Sequence, residues 1–339
     1  MQAEHRRPLR AAYLVLCGVA LAGALVGMPR SEAATSDRIV YQRLGDIFTM
    51  APDGSDKVQL TAGAPFDSDP VWSPDRSRIS FVRCCSIRRP GHTALIVMNA
   101  DGTDRRELTS NLRGSVFEAE WSPDGTSLVY ADVIPEGDRY RAALRVVTAD
   151  GTSTTSLTGY RYLNVGATWS PDGRLAFMSD RDGDIEIWLM SLDGSKPIRL
   201  TNDPATDFFP QWSPDGSKIL WIRQSEEYGW SQHLYVMNAD GTDSVRLTTG
   251  NQLDEMPRWS PDGTRIAFIR YLFEPEFDLG LWLMDADGSN ATRLVDASGS
   301  PAWSSDGASI AYEKAGEHLS GRPCRSDSDA THDTTSVRG

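Results

Sequence analysis

Short apolar runs of strand length alternate with polar turns from about residue 38 to residue 313. Runs such as "RIAFIR" and "LYVMN" have the length and the β-branched and aromatic content of strands. After the N-terminal segment, no stretch keeps the apolar period of a helix. The pattern therefore predicts an all-β protein.

A phrase centred on tryptophan recurs six times, at intervals of 43 to 49 residues. The tryptophans are Trp72, Trp121, Trp169, Trp212, Trp259 and Trp303. Ser-Pro-Asp follows five of them and Ser-Ser-Asp follows the last. A phrase ending in Asp-Gly, such as "MNADG" at 98–102, and another ending in Leu-Thr, such as "LT" at 108–109, keep the same period. Such self-similarity indicates a repeat architecture.

Each period is predicted to form four antiparallel strands, A to D. Strand A ends at the tryptophan, the "SPDG" turn leads to strand B, and the "ADG" turn joins strand C to strand D. Proline, aspartate and glycine are the residues that such tight turns favour. Because one sheet cannot cover its own two apolar faces, we expect each tryptophan to pack between neighbouring sheets. Four strands in this period are typical of a propeller blade.

The phrase P-x-W-S-P-D-G, followed by M-N-A-D-G and L-T, resembles the WD40-like PD40 repeat of TolB-like propellers. Six copies cover about residues 38–313. The resemblance implies a six-bladed β-propeller of four-stranded antiparallel blades, located outside the cytoplasm. We expect the N-terminal strands to close the ring by completing the blade of Trp303. The runs at 39–42 and 310–314 compete for one strand position, so seven blades, two of them incomplete, are the alternative. TolB itself carries an α/β domain ahead of its propeller, for which this sequence leaves no room.

The chain is predicted to divide into a signal peptide (1–33), the propeller (34–316) and a disordered polar tail (317–339). A basic "HRRPLR" precedes an apolar run of 18 residues and the small residues of "SEAA". We expect cleavage after Ala33 and a secreted, periplasmic or envelope protein. An uncleaved membrane anchor is the alternative, because the run is just long enough to cross a bilayer.

Net charge is −13, which disfavours nucleic acid and anionic membrane surfaces as partners. We expect a monomer that binds a protein or peptide, with a glycan as the alternative, and no stable membrane insertion after cleavage. Beyond the signal peptide lie Cys84, Cys85 and Cys324. An odd number leaves one thiol over. A Cys84–Cys85 bridge, or a bridge from either of them to Cys324, both stay open.

The sequence contains neither a Gly-x-Ser-x-Gly nor a His-Glu-x-x-His motif, and its five histidines are scattered. We therefore predict a non-catalytic protein that binds its partner on the face with the variable loops. The alternative is a sugar-active hydrolase or lyase that uses acidic residues at the channel mouth.

The B–C and D–A loops share one face and carry the length variation, as at 84–94, 132–143, 223–233 and 270–280. Binding commonly lies on variable loops, and exposed aromatic residues are common anchors. The aromatic residues predicted there are Tyr140, Tyr228, Trp230, Tyr271, Phe273 and Phe277. The alternative is that they fold back onto the blade edges.

Five residues before each tryptophan lie Asp67, Val116, Asn164, Asp207, Asp254 and Ser298. We expect these positions in the D–A loops, around one mouth of the central channel, with Phe209 nearby. The predicted ligand-binding residues are Asp67, Asp69, Glu118, Asn164, Asp207, Phe208, Asp254 and Glu255. No cofactor is predicted, although such a negative ring could hold Ca²⁺. The alternative is that the aspartates close turns by accepting backbone N–H groups.

Overall fold

The computed structural model describes residues 38–63, 66–84, 93–109, 112–192, 196–225, 231–273 and 278–313, and the backbone of 334–338. The predicted signal peptide and most of the predicted tail lie outside these residues. So do Cys85, Cys324, Tyr228, Trp230 and Phe277. Within the described ranges the regular structure is all strand, and no helix there could cross a membrane.

Twenty-six strands are described. The first eleven are β1 (Ile39–Arg43), β2 (Asp46–Met50), β3 (Val58–Gln59), β4 (Asp67–Trp72), β5 (Arg78–Cys84), β6 (Thr93–Asn99), β7 (Arg106–Glu107), β8 (Ser115–Trp121), β9 (Ser127–Glu136), β10 (Arg139–Thr148) and β11 (Thr154–Ser156). The next eight are β12 (Asn164–Trp169), β13 (Leu175–Ser179), β14 (Glu186–Met190), β15 (Ile198–Arg199), β16 (Thr206–Trp212), β17 (Lys218–Ser225), β18 (Ser231–Asn238) and β19 (Val245–Arg246). The last seven are β20 (Gln252–Trp259), β21 (Arg265–Leu272), β22 (Asp278–Asp285), β23 (Thr292–Asp296), β24 (Ala302–Trp303), β25 (Ser309–Glu313) and β26 (Thr334–Arg338).

Five four-stranded antiparallel meanders form the centre of the fold, and we number them as blades. They are blade 1 (β4–β7), blade 2 (β8–β11), blade 3 (β12–β15), blade 4 (β16–β19) and blade 5 (β20–β23). Blades 4 and 5 are joined by one parallel bridge, between Gln232 and Leu253. Three-stranded sheets flank them, the N-terminal sheet (β1–β3) and the C-terminal sheet (β24–β26). The predicted all-β fold of repeated four-stranded sheets is confirmed.

The A–B turn has the geometry that its sequence predicts. In blade 4, the hydroxyl of Ser213 donates to Oδ1 of Asp215 at 2.6 Å, and the backbone N–H of Ser217 donates to the same oxygen at 3.0 Å. Gly216 takes a φ of +71°, which glycine adopts without steric cost. In blade 1 the glycine position is held by Arg76, whose φ is +57°.

The Leu-Thr phrase closes the outer edge of the N-terminal sheet and of blades 1 to 4. In blade 4, the backbone N–H of Leu247 donates to the carbonyl oxygen of Leu234 at 2.8 Å. The N–H of Leu234 in turn donates to the hydroxyl of Thr248 at 3.0 Å. The threonine thus satisfies a strand-C donor where the short strand D has ended. The equivalent threonines are Thr61, Thr109, Thr158 and Thr201.

The repeat tryptophans lie between adjacent sheets, as the repeat predicts. Five are between 3% and 8% exposed, and Trp259 is half-buried. Four indole N–H groups donate to the preceding blade. In each case the acceptor is the carbonyl oxygen of the residue just before that preceding blade's tryptophan. The pairs are Trp121 to Val71 at 3.3 Å, Trp169 to Glu120 at 3.3 Å, Trp212 to Thr168 at 3.3 Å and Trp303 to Arg258 at 3.2 Å. Successive blades therefore stack with one repeated geometry.

The two ends of the chain form separate sheets. Among the described strand pairs, β1 lies beside β2 and β26 lies beside β25, and none joins the N-terminal sheet to the C-terminal sheet. The N-terminal sheet nevertheless packs ahead of blade 1, because Val40, Ile47 and Leu60 share an apolar cluster with Trp72. The closure expected from the sequence stays a prediction.

The strands of the B–C hairpins are longer than the sequence suggests. The segment 132–143, expected as a loop, is a continuous hairpin in which Arg139 pairs with Glu136. In blades 4 and 5 the flanking strands likewise extend to Ser225 and Leu272. Pairing across the hairpin satisfies backbone groups that a loop would leave to water. Cys84 ends β5 and is half-buried. Because Cys85 and Cys324 lie outside the described residues, the disulfide pairing stays open.

Candidate functional site

Three of the predicted ring residues are held by an arginine on the neighbouring strand. Asp67, Asp207 and Asp254 lie among the first three residues of their A strands and are 1%, 0% and 0% exposed. Each carboxylate accepts two hydrogen bonds from an arginine sixteen residues later, directly opposite in strand B. The bonds measure 2.7 and 2.9 Å from Arg83 to Asp67, 2.7 and 2.7 Å from Arg223 to Asp207, and 2.6 and 3.0 Å from Arg270 to Asp254.

Each of these arginines also lies against aromatic rings. The guanidinium of Arg223 is 4.7 Å from the ring centre of Tyr235, and that of Arg270 is 4.6 Å from the ring centre of Trp282. Such two-point hydrogen bonding and stacking orient the planar guanidinium group. Burial raises the pKa of Asp207, although Arg223 opposes the shift. The three aspartates thus contribute paired charge to this face.

Blades 2 and 3 fill the equivalent position differently. In blade 2, Val116 lies opposite Asp132, which is fully buried and forms an ion pair of 3.2 Å with Arg145. In blade 3, the amide of Asn164 donates to the carbonyl oxygen of Ala142 at 2.9 Å. The amide oxygen of Asn164 accepts from the guanidinium of Arg181 at 2.9 Å. Asn164 therefore links two blades.

A β-bulge interrupts the A strand of every blade at one position, three residues before the tryptophan. The register shifts there in each A–B pair, and the backbone φ is positive. The bulge residues are Asp69, Glu118, Gly166, Phe209 and Met256. A bulge redirects a side chain relative to its strand, so the bulge places Asp69 and Glu118 off the regular alternation of the sheet.

Asp69 and Glu118, which we call the carboxyl pair, are the two acidic bulge residues on the A strands of blades 1 and 2. Oδ2 of Asp69 accepts from the hydroxyl of Ser68 at 3.1 Å, while the buried Oδ1 has no hydrogen-bond partner among the described atoms. Glu118 accepts from the backbone N–H of Gly166 in blade 3. Burial raises the pKa of Asp69 to about 6. Burial raises that of Glu118 to about 7, and the nearby charge of Asp69 adds to the shift.

Glu120 and Arg258 show that inner strands from distant blades approach one another. Glu120, in blade 2, accepts from the hydroxyl of Thr168 at 3.1 Å and from the N–H of Trp169 at 3.0 Å. Burial raises its pKa to about 7, and the charge of Arg258 in blade 5 opposes that shift. Burial lowers the pKa of Arg258, which Glu120 opposes in turn. The A strands of blades 2 and 5 therefore face a common interior.

The remaining predicted residues divide between core and site. Phe208 is 4% exposed and packs in the apolar core. Its ring meets that of Phe209 edge to face, with the two ring centres 5.4 Å apart. Glu255 is half-buried, and burial and then the charge of Asp254 raise its pKa. Ser298 donates its backbone N–H to the carbonyl oxygen of Glu313 at 3.0 Å.

Sequence reasoning missed the arginines that hold the aspartates. The signal was present, because an arginine follows the tryptophan by eleven residues in the three blades concerned, as in "WIR" at 221–223. The reasoning also missed His233, which lies opposite Arg223 and is 1% exposed, and neither of its ring nitrogens is hydrogen-bonded to a described atom. Burial lowers the pKa of His233 to about 4.

The predicted loop aromatics that are described divide into exposed and packed residues. Tyr140 is 37% exposed and Phe273 is 50% exposed. Tyr271 packs against an apolar cluster, and burial raises its pKa to about 12. Phe66, which precedes strand β4, is 54% exposed. In the part of the chain that the structure describes, no three Asp, Glu, His or Cys side chains gather to hold a metal ion.

Residues 76–272 match the family described as the TolB beta propeller domain, PD40. The Tol-Pal system protein TolB of Anaeromyxobacter dehalogenans (strain 2CP-C) is 33% identical over 135 residues, which cover 38% of this chain and 29% of that protein. An uncharacterized peptidase of Bacillus subtilis, YuxL, is 36% identical over 110 residues, covering 31% of this chain and 17% of the peptidase. The matches thus span less than a third of these two curated relatives.

An oligogalacturonate lyase from Vibrio parahaemolyticus has a similar fold, with a TM-score of 0.65 and 12% sequence identity over 87% of each chain. At this identity the likeness concerns the fold alone.

Proposed function

The chain belongs to the TolB β-propeller family, PD40, and from that membership we propose that it is a non-catalytic, extracytoplasmic binding protein. Its partner is a protein or peptide, with a glycan as the alternative, and it binds on the face that carries the B–C and D–A loops. Propellers serve many functions, so the proposal rests on the residues of that face.

One observation carries the proposal: the exposed aromatic side chains of the described residues all lie on that face. Phe66 precedes strand A of blade 1, whereas Tyr140 and Phe273 lie in B–C hairpins. Leu44, 71% exposed in the β1–β2 turn, lies beside Phe66, because a Cβ on Gly45 would be 2.7 Å from the Phe66 ring. Exposed aromatic groups on a rigid frame are typical anchors of protein partners.

The buried polar row beneath these aromatics supports the frame. In this proposal the Asp–Arg pairs of blades 1, 4 and 5 hold the ends of the A and B strands in place. In this proposal the carboxyl groups that contact a partner are those of Asp69, Glu118 and Glu255. None of the three forms an ion pair with an arginine in the described contacts. Asp67, Asp207 and Asp254 then position the site rather than contact the ligand.

The experiment is crosslinking and capture from the native envelope, run beside a glycan array. The test variant replaces Phe66, Tyr140 and Phe273 by serine. The control variant replaces Val58 and Ile198 by serine, which are 42% and 61% exposed on the short outer strands β3 and β15. We expect the test variant to lose a partner that both wild type and control retain, with an unchanged melting temperature. Equal capture by all three proteins would contradict the proposal.

The carboxyl pair Asp69–Glu118 favours an enzyme as the second candidate. Carboxyl groups with raised pKa values serve as general acids in glycosidases. Turnover of an acidic oligosaccharide that is lost in both Asp69→Asn and Glu118→Gln would establish an enzyme in place of a binding protein. The same two variants test whether Ca²⁺ is held at the mouth, because added Ca²⁺ should then raise the melting temperature of wild type only.

We also propose that the ring closes with six blades. The contact between the C–D turn of blade 1 and the N-terminal sheet supports this closure. A Cβ on Gly102 would lie 3.1 Å from the carbonyl oxygen of Leu60, and Gly241 of blade 4 approaches Leu200 of blade 3 in the same way. The N-terminal sheet therefore stacks on blade 1 as one blade stacks on the next. In a background without native cysteines, Thr49→Cys is paired with either Ala311→Cys or Val40→Cys. A bridge in the first pair would place 310–314 beside β2 as strand B of the closing blade, whereas a bridge in the second would place 39–42 there, in the β1–β2 register in which Val40 faces Thr49. Six blades accommodate either strand, and an experimental structure with seven radial sheets would refute the six-blade count.

Export is the remaining part of the proposal. Cleavage after Ala33 should leave a mature terminus near Ala34 in secreted or envelope material, as read by mass spectrometry. An anchored protein would instead retain residues 1–33 in a membrane fraction, and protein found only in the cytoplasm with Met1 intact would overturn export.

A further inference from the structure

On the turn face, opposite the loops, an arginine seals three of the gaps between neighbouring sheets. The arginine lies at the start of strand B, where blade 2 has Ser127, and its guanidinium lies 5.0 Å from the ring centre of the next sheet's tryptophan. The pairs are Arg78 with Trp121, Arg174 with Trp212, and Arg265 with Trp303. Two of these guanidinium groups also donate to a glycine carbonyl in the next A–B turn, Arg78 to Gly125 at 2.8 Å and Arg265 to Gly307 at 3.3 Å.

The gap between blades 4 and 5 lacks this seal. The position is held by Lys218, which is exposed and whose Nζ donates to the side-chain oxygen of Asn238 at 3.2 Å. Trp259 is half-buried, whereas its five counterparts are buried. Its indole N–H has no hydrogen-bond partner among the described atoms. The face of the Trp259 ring is therefore open to a ligand where other blades present a guanidinium.

A cleft of about 420 Å³ occupies this gap. Its apolar wall is formed by Val236, Val245, Leu247 and Trp259. Two contacts between blades 4 and 5 border the cleft. A Cβ on Gly263, in the A–B turn of blade 5, would lie 3.5 Å from Cδ of Pro214, and one on Gly288, in its C–D turn, would lie 2.9 Å from the carbonyl oxygen of Leu247. The opening thus lies between two closed contacts.

The charges that line the cleft are mainly negative. Asp215, Asp262 and Asp287 are among its lining residues, against the single cation of Lys218. Hydrogen bonds from serine side chains within the turns lower the pKa of each of these carboxyls. All three are therefore ionised at neutral pH, and they favour a cationic occupant.

We propose that this cleft binds the side chain of an arginine from a partner polypeptide. The guanidinium would stack on Trp259 and donate to the carbonyl oxygen of Gly263, as the chain's own arginines do at the equivalent tryptophans and glycines. Arginine suits the site better than lysine, because its flat group stacks on an aromatic face and donates in a fixed fork. The inference is independent of the loop-face proposal, since it concerns the opposite face.

The test uses the full chain and three short peptides, acetyl-Gly-X-Gly-amide, in which X is arginine, lysine or citrulline. Indole N–H resonances are followed by NMR, and that of Trp259 is assigned from Trp259→Phe. We expect a saturable shift of the Trp259 resonance with the arginine peptide. The lysine peptide should bind more weakly, and uncharged citrulline should not bind.

Lys218→Arg gives the sharpest arm, because it restores the seal found in the other blades. This variant should melt at a higher temperature and lose the response to the arginine peptide. Lys218→Gln, which removes the charge of the lysine without filling the cleft, should keep the response. The proposal is overturned if the arginine peptide shifts no Trp259 resonance, if Lys218→Arg still binds it, or if citrulline binds equally well.

Discussion

The indole N–H of Trp169 donates to the backbone carbonyl oxygen of Glu120, 3.3 Å away in the preceding blade. Three other tryptophans repeat this bond at the same position of their blades. Trp72 and Trp259 do not, since their indole N–H groups have no partner among the described atoms. The six tryptophans therefore differ in whether an indole hydrogen bond adds to the packing between blades.

Trp169→Phe should therefore destabilise the protein more than Trp72→Phe does. Both tryptophans are 7% exposed, but only Trp169 donates an indole hydrogen bond, which phenylalanine cannot make. We expect a difference of about 1–2 kcal/mol in the free energy of unfolding, measured by chemical denaturation. Equal losses would mean that the indole bonds contribute nothing beyond packing.

Asp254→Asn should destabilise strongly, because it leaves Arg270 partly buried without its counter-charge. Breaking such a buried pair costs about 3–5 kcal/mol. Asp278→Asn is the control, since Asp278 and Arg293 form an exposed pair at 2.8 Å that is worth at most about 1 kcal/mol. Denaturation curves of the two variants check the contrast.

The same variant discriminates between the two roles considered for Asp254. If Asp254→Asn keeps its stability but loses the captured partner, the aspartate contacts the ligand directly and the positioning role is wrong.

The pKa of Glu118, raised to about 7 by burial, makes stability depend on pH. Between pH 4.5 and 7 the folded protein retains a proton that the unfolded chain has released. The stabilisation is therefore present at low pH and is lost as pH rises through 7. Glu118→Gln removes the titrating group. The free energy of unfolding of this variant should therefore exceed that of wild type by about 1–3 kcal/mol at pH 8 and match it near pH 5.

Melting temperatures of both proteins across this range measure the effect. Glu136→Gln, at a side chain that is 63% exposed, serves as the surface control. A Glu118→Gln curve parallel to that of wild type would exclude a raised pKa at this position.

Gly288→Ala and Gly173→Ala separate backbone strain from steric contact. Both glycines have a φ of +87°, but a Cβ on Gly288 would lie 2.9 Å from the carbonyl oxygen of Leu247, whereas one on Gly173 would contact nothing within 4 Å. Both should lose about 1–2 kcal/mol to the left-handed backbone. Gly288→Ala should lose about a further 1–3 kcal/mol to the contact, as thermal unfolding would show.

The repeat itself was readable from the sequence because its signals are local. The Ser-Pro-Asp-Gly turn, with the hydroxyl of Ser213 on Asp215, forms within a few residues. The Leu-Thr phrase acts on the adjacent strand of the same blade. Strand period and turn residues therefore determined the all-β architecture, the blades and the face on which the variable connections lie.

The surroundings of the candidate site were decided by tertiary structure. The partner of Asp254 is sixteen residues away, and its identity depends on the A–B register and on the bulge at Met256. The charges of Glu120 and Arg258 meet only because inner strands of separate blades face one interior. No local pattern encodes such an approach.

The openness of Trp259 likewise follows from a neighbour in another blade. Its own phrase matches the other five repeats, but Lys218 in blade 4 leaves its ring uncovered where an arginine covers three of the others. Sequence by itself determined which elements form, because turns and strand periods are local. Tertiary structure decided which charges are neutralised and which aromatic faces stay open, because burial and pairing depend on residues that only packing brings together.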